Sequence, residues 1–148
     1  MEECKVNCNS NTMPLIDTGS TTTCNNGCTP KDISVICKTI IIPTGQDILG
    51  VQGEDNSATR YFLIPKINEN GEDLSNKEFS IIIVDSGNNR SEIKIENPEI
   101  TDNYIKLKLI IDKNITQTSG NLNIQIQAIS DNYVWKTFPA IFKIANSI

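Results

Sequence analysis

From residue 33 onward, apolar positions recur every second residue. Ile105, Leu107, Leu109 and Ile111 fall on one side of a strand, with Lys106 and Lys108 on the other. Leu122, Ile124, Ile126 and Ala128 repeat the pattern against Asn123, Gln125 and Gln127. A period of two sustained this long predicts strands with one buried and one wet face. Shorter runs add to the set. Ile33 to Ile42 is a β-branched run ended by Pro43-Thr44-Gly45, and Arg60 to Ile64 is stopped by Pro65. Phe79 to Val84 is closed by Ser86-Gly87-Asn88-Asn89, and Ile93 and Ile95 alternate with charges. A last strand runs from Val134-Trp135 through Phe138, Ala140, Phe142 and Ile144, with Pro139 marking an edge or a bend. Asn70-Gly71 is a tight-turn signal. No segment carries a 3.6-residue stripe. About seven strands with turns between them predict an all-β, two-sheet sandwich over residues 32–148. Its only Trp, Trp135, is expected against the opposite sheet. Burying the large apolar side chains, at roughly 1.5–3 kcal/mol each, offsets the ordering entropy, so the sandwich is expected to fold without help from cysteines.

Residues 1–31 have a different character. They hold four of the five Cys, many Asn, Ser and Thr, and little apolar periodicity. This composition reads as an N-terminal arm or a small Cys-linked knot. Cys4, Cys8, Cys24 and Cys28 form two like-spaced pairs. Three readings stand: a tetrahedral zinc site, two disulfides formed outside a reducing compartment, or unpaired thiols. Zinc is the one cofactor the sequence suggests. Cys37, inside the Ile33 to Ile42 run, is expected to be a buried structural thiol. Met13, Pro14, Leu15 and Ile16 make the arm's one apolar cluster and are the expected partner-binding plug.

Charge and chemistry narrow the function. The net charge is −5 with scattered Lys and Arg, so no basic stripe exists to neutralise phosphates, and nucleic acid is not an expected partner. No apolar run reaches the roughly 20 residues of a membrane-spanning helix. The start lacks a secretory pattern, so synthesis in a cytoplasm is expected. The chain has no His, which removes the commonest general base and every Ser-His or Cys-His arrangement; no enzyme is expected. The acidic turns Gly45-Gln46-Asp47, Gly53-Glu54-Asp55 and Gly71-Glu72-Asp73 read as solvated. A calcium site at an end of the sandwich, drawing on Asp55, Asp85 or Asp131, is the alternative, without the spacing of a helix–loop–helix calcium motif.

Three stretches resemble the N-terminal, immunoglobulin-like domain of baseplate upper proteins and related virion proteins of phages of Gram-positive hosts. They are Gly50 to Asn56 leading into Arg60 to Pro65; Asn70 to Ser75 followed by an apolar strand; and Ser119-Gly120 with Val134 to Ala140. The resemblance implies an immunoglobulin-like sandwich and a non-enzymatic structural role in a virion. The partners it implies are other virion proteins, major capsid or tail, met by many copies or a homo-oligomer. Baseplate upper proteins continue into a long region that holds receptor-binding proteins, and this chain stops with the sandwich. Capsid decoration is therefore the first expectation and a baseplate or tail accessory the second. A carbohydrate-binding module is the third, with host-surface glycans as ligands and Tyr104 and Tyr133 as the best exposed aromatics. Tyr61, Phe62, Trp135 and Phe138 are assigned to the core.

Overall fold

The alternating segments become two facing sheets in the computed structural model, which describes residues 32–148. The strands are β1 (Ile33–Ile36), β2 (Thr39–Ile41), β3 (Ile48–Val51), β4 (Ala58–Pro65), β5 (Glu78–Val84), β6 (Arg90–Ile95), β7 (Glu99–Ile100), β8 (Tyr104–Ile111), β9 (Gly120–Ser130), β10 (Tyr133–Lys136) and β11 (Ala140–Ala145), with one short helix, α1 (Lys113–Thr116), after β8. One sheet has the order β2-β1-β4-β8-β7, the other β3-β11-β9-β5-β6, and β10 pairs with β9. Most neighbours are antiparallel; β1/β4 and β3/β11 are parallel. With β1, β4, β5, β7, β8, β9 and β11 counted as the principal strands, the first, second, fifth and fourth share one sheet and the third, sixth and seventh the other. That is the immunoglobulin arrangement. The fold is an all-β, immunoglobulin-like sandwich.

The core lies where the alternation put it. Ile105, Leu107, Leu109 and Ile111 from β8 face Leu122, Ile124, Ile126 and Ala128 from β9, all buried. Phe62 and Phe142 meet between the layers with ring centroids 6.1 Å apart and planes tilted by 59°, the offset geometry that aromatic quadrupoles favour. Trp135 is buried in the same cluster, as the pattern predicts. Strand β5 is buried on both faces: Ile81 and Ile83 enter the core, while Ser80 and Ile82 are covered on the outside. Helix α1 is capped by Asp112, whose side chain accepts from the Ile115 N–H at 3.2 Å, one of the orphan donors of a first turn.

Several expectations need correction. The described residues hold eleven strands where about seven were expected. The run Ile33 to Ile42 is two strands, folded into a hairpin at Cys37 and Lys38, which take φ 51° and 68°. Cys37 is consequently a half-buried turn residue, and it is disulfide-bonded; it is not a buried free thiol within a strand. The last run is likewise two strands, because Thr137 to Pro139 leave the ladder between β10 and β11. Phe138 is 60% exposed there instead of packing in the core. Tyr61 is only half-buried, because it neighbours the inward Phe62 and so takes the opposite face of β4, where Lys106 Nζ stands 4.8 Å from its ring centre.

Candidate functional site

The residues singled out from the sequence divide sharply. Cys4, Cys8, Cys24, Cys28 and Met13 to Ile16 lie outside the described residues. Cys37, the one cysteine among residues 32–148, is disulfide-bonded. Asp55, Asp85 and Asp131 do not gather, and no group of three or more potential metal ligands occurs among the described residues.

The acidic side chains are occupied by turn geometry. Asp55 Oδ1 accepts from the Lys113 N–H at 3.0 Å. Asp85 Oδ1 accepts from the Gly87 and Asn89 N–H groups, both at 2.9 Å, and closes the β5–β6 turn. Loss of solvent alone raises the Asp85 carboxyl; the hydrogen bonds from Asn89, Gly87 and Thr118 outweigh it and hold the group below its ordinary value. Asp73 accepts from both the hydroxyl and the N–H of Ser75, which also lowers its carboxyl.

The aromatics are mostly spoken for. Asn68 is buried in the loop between β4 and β5; its Oδ1 accepts from the Asn70 and Glu72 N–H groups, and its Nδ2 donates to the Tyr133 hydroxyl at 2.8 Å. Burial, followed by a hydrogen bond with Glu72, raises the Tyr133 phenol. Lys77 Nζ stands 4.7 Å from the centre of the Tyr133 ring. Trp135 Nε1 donates to Glu69 Oε2 at 2.9 Å. Of the two tyrosines considered for sugar binding, Tyr133 is therefore engaged. Tyr104 remains at the surface, 37% exposed.

The sheet margins differ from one another, and here the structure adds what the sequence did not reveal. At the β3 margin, side chains cap the backbone. Arg60 Nη2 donates to the Ile48 carbonyl at 2.7 Å, and Glu54 Oε1 accepts from the Val51 N–H at 2.9 Å. The following loop is clasped to α1 by Thr116 Oγ1 donating to the Glu54 carbonyl and by Gly53 N–H donating to the Thr116 carbonyl. Along β10 and β11, Val134, Phe138 and Ile141 are each more than half exposed. The Phe138 N–H donates to the Lys38 carbonyl at 2.8 Å, which sets the Cys37 hairpin beside this apolar margin. The alternation could not announce this patch, because the β10–β11 break changes its phase: Trp135 and Thr137 point inward before it, Phe142 and Ile144 after it.

No family model and no curated protein matches the chain. Among solved structures, it is similar to the N-terminal domain of phage TP901-1 ORF48, with 14% identical residues, a TM-score of 0.43, and coverage of 78% of this chain and 96% of that one.

Proposed function

We propose that this chain is a non-enzymatic structural module of a bacteriophage virion, seated in the tail or baseplate. The observation that carries the reading is where the three stretches of resemblance fall. Gly50 to Asn56 forms the clasp between β3 and α1. Asn70 to Ser75 belongs to the loop that begins at Asn68 and holds Tyr133 and Trp135 through Asn68 and Glu69. Ser119-Gly120 closes against Ser86, whose hydroxyl donates to the Ser119 carbonyl at 2.6 Å, and Val134 to Ala140 supplies Val134 and Phe138 to the exposed apolar margin while burying Trp135 and Thr137. Besides core residues such as Phe62, Ile64 and Trp135, the resembling residues shape loops and margins, the parts of a sandwich that a neighbour meets.

The expectation of capsid decoration rests on the chain ending with the sandwich, and an end of chain specifies no lattice. The resemblance is to a baseplate domain, so tail or baseplate is the reading advanced. The partners are other virion proteins, and the apolar β10–β11 margin is the surface offered to them. Zinc stays a proposal for the arm cysteines alone. The test is mass spectrometry on purified particles separated into heads and tails. Peptides of this chain are expected in the tail fraction; recovery with heads alone refutes the tail assignment, and absence from both refutes the virion reading.

A further inference from the structure

We infer that β6 is a self-association edge, through which two copies of this chain pair antiparallel about a twofold axis at Ile93. Strand β6 ends the six-stranded sheet, with β5 as its one neighbouring strand among the described residues. It is six residues long, whereas the outer strands of the other sheet, β2 and β7, have three and two. The β3 margin is capped by Arg60 and Glu54, as described above. Nothing among the described residues caps the β6 backbone.

The direction of that backbone follows from the hairpin. The Asp85 N–H donates to the Asn89 carbonyl, so residues 85 and 89 form a hydrogen-bonded pair. Antiparallel pairs alternate between hydrogen-bonded and open. The register Ile83↔Ser91, Ile81↔Ile93 and Phe79↔Ile95 then uses the odd residues of β6 to hold β5. Arg90, Glu92 and Lys94 turn their N–H and C=O groups to the free edge, and none of these groups has a partner among the described residues. A long edge with unpaired backbone is a template for another strand.

The side chains select which strand and which register. Outward pairing requires even residues of one strand opposite even residues of the other. Centred on Ile93, an antiparallel copy sets Glu92 against Lys94 and Lys94 against Glu92, with Arg90 against Glu96 just past each strand end. All of these cross-strand pairs are opposite in charge. Centred on Glu92 instead, the register sets Glu92 against Glu92 and Arg90 against Lys94; centred on Lys94, it sets Lys94 against Lys94 and Glu92 against Glu96. Both are repulsive throughout, and like charges directly opposite destabilise a ladder; centred on Ser91 or Ile95, the register keeps two opposite pairs where the Ile93 register has four. On the other face, Ile93 meets its own copy and Ile95 meets Ser91. Ile93 and Ile95 are only partly buried in one chain, so the pairing covers apolar surface left open. The existing ion pairs of these charges, Arg90 to Glu92 at 3.9 Å and Lys94 to Glu78 at 3.8 Å, are long and exposed and do not compete strongly. Gln127 Nε2 also donates to Glu92 Oε2 at 3.1 Å, which leaves the other carboxylate oxygen for a lysine across the axis.

The contact is small by the standard of stable interfaces, so the dimer is weak and reversible. Sedimentation equilibrium of the full chain under reducing conditions is expected to show the mass rising with concentration from 16.4 kDa toward twice that value, and falling back with added salt. E92K and K94E each turn two opposite pairs into like pairs and are expected to weaken self-association at least roughly tenfold. Mixing the two variants restores every pair, because a chain with lysine at both positions then faces a chain with glutamate at both. The heterodimer is expected at the wild-type affinity. Both side chains are exposed, and unchanged circular dichroism will show that the variants fold. A wild-type chain that stays monomeric at millimolar concentration overturns the proposal. So does a dimer that the single swaps leave intact, or a mixture that does not recover. A monomer whose Glu92 and Lys94 amides resist hydrogen exchange would put another segment on this edge and equally refute self-pairing.

Discussion

Replacing Trp135 with Ala tests how the loop after β4 is held to the sheet. The side chain is 3% exposed and belongs to the core cluster, while its indole N–H reaches Glu69 at 2.9 Å. Truncation removes the buried ring and leaves a cavity, which costs about 3–5 kcal/mol. Loss of the hydrogen bond adds little, because Glu69 is partly exposed and water can replace the indole donor. For a chain of this size, each kcal/mol moves the melting temperature by about 4 °C, so the drop is expected to be about 12–20 °C. Trp135→Phe retains most of the apolar area and loses the donor, and is expected to cost about 1–2 kcal/mol. Thermal and urea unfolding followed by far-ultraviolet circular dichroism measures both, since the variants lack the Trp fluorophore. A loss below about 1 kcal/mol for Trp135→Ala would refute the burial argument and leave the loop from Asn68 to Ser75 anchored by Asn68 and the buried Leu74.

Asp85 has a lowered carboxyl in the folded state; its contribution to stability is therefore present above the ordinary carboxylate range and lost as pH falls through the folded-state value. Asp85→Asn is expected to flatten that acid limb in a series of urea melts, and an unchanged limb would contradict the assignment. A chain beginning at residue 32, with Cys37→Ser, is expected to unfold in one cooperative step with an all-β spectrum, because the core from Ile33 to Ile144 is complete; a non-cooperative melt would make the arm part of the fold. In oxidised protein, peptide mapping is expected to find Cys37 cross-linked to Cys4, Cys8, Cys24 or Cys28, a bond that breaks up a four-cysteine zinc set. Elemental analysis should then find about one zinc per chain only after reduction, and a reduced sample without zinc eliminates the metal reading.

Legibility in the sequence depended on whether a signal was local. The faces of β8 and β9 can be read directly, because period-two alternation survives wherever a strand is straight and half-buried. The β1–β2 hairpin cannot, because its turn uses Cys37 and Lys38 at positive φ, where Gly or Asn is the usual marker. The inward assignment of Phe138 fails for a related reason. A single phase drawn through Phe138, Ala140, Phe142 and Ile144 ignores the break around Pro139 that shifts it. The Asn70-Gly71 and Ser86 to Asn89 turns are legible because Gly71 and Asn88 take the positive φ that those residue types tolerate. The candidate surfaces are the least legible. Arg90, Glu92 and Lys94 look like any solvated strand face until the sheet order makes β6 its last strand.

The β6 edge and the exposed apolar residues along β10 and β11 call for different kinds of neighbour. An edge whose charges complement an inverted copy of itself makes an isologous contact, which closes at two chains and cannot propagate. Pairing at β6 therefore yields a dimer and not a filament, and the alternating charges that select the Ile93 register also penalise the neighbouring ones, a form of specification against alternatives. Val134, Phe138 and Ile141 carry no charge pattern that would fix a register, and in the proposed function they are the surface offered to another virion protein. A twofold pair built through β6 carries two such margins, one per copy. An anchor that binds weakly through one margin binds more firmly through two when both reach their targets at once, since the second contact forms at high effective concentration. The charge swaps at Glu92 and Lys94 are thus expected to reduce attachment to particles as well as dimerisation, without altering a single residue of the apolar margin. Co-sedimentation of each swap with particles lacking their own copy measures this, and attachment equal to that of the wild-type chain would show that the margin works one copy at a time.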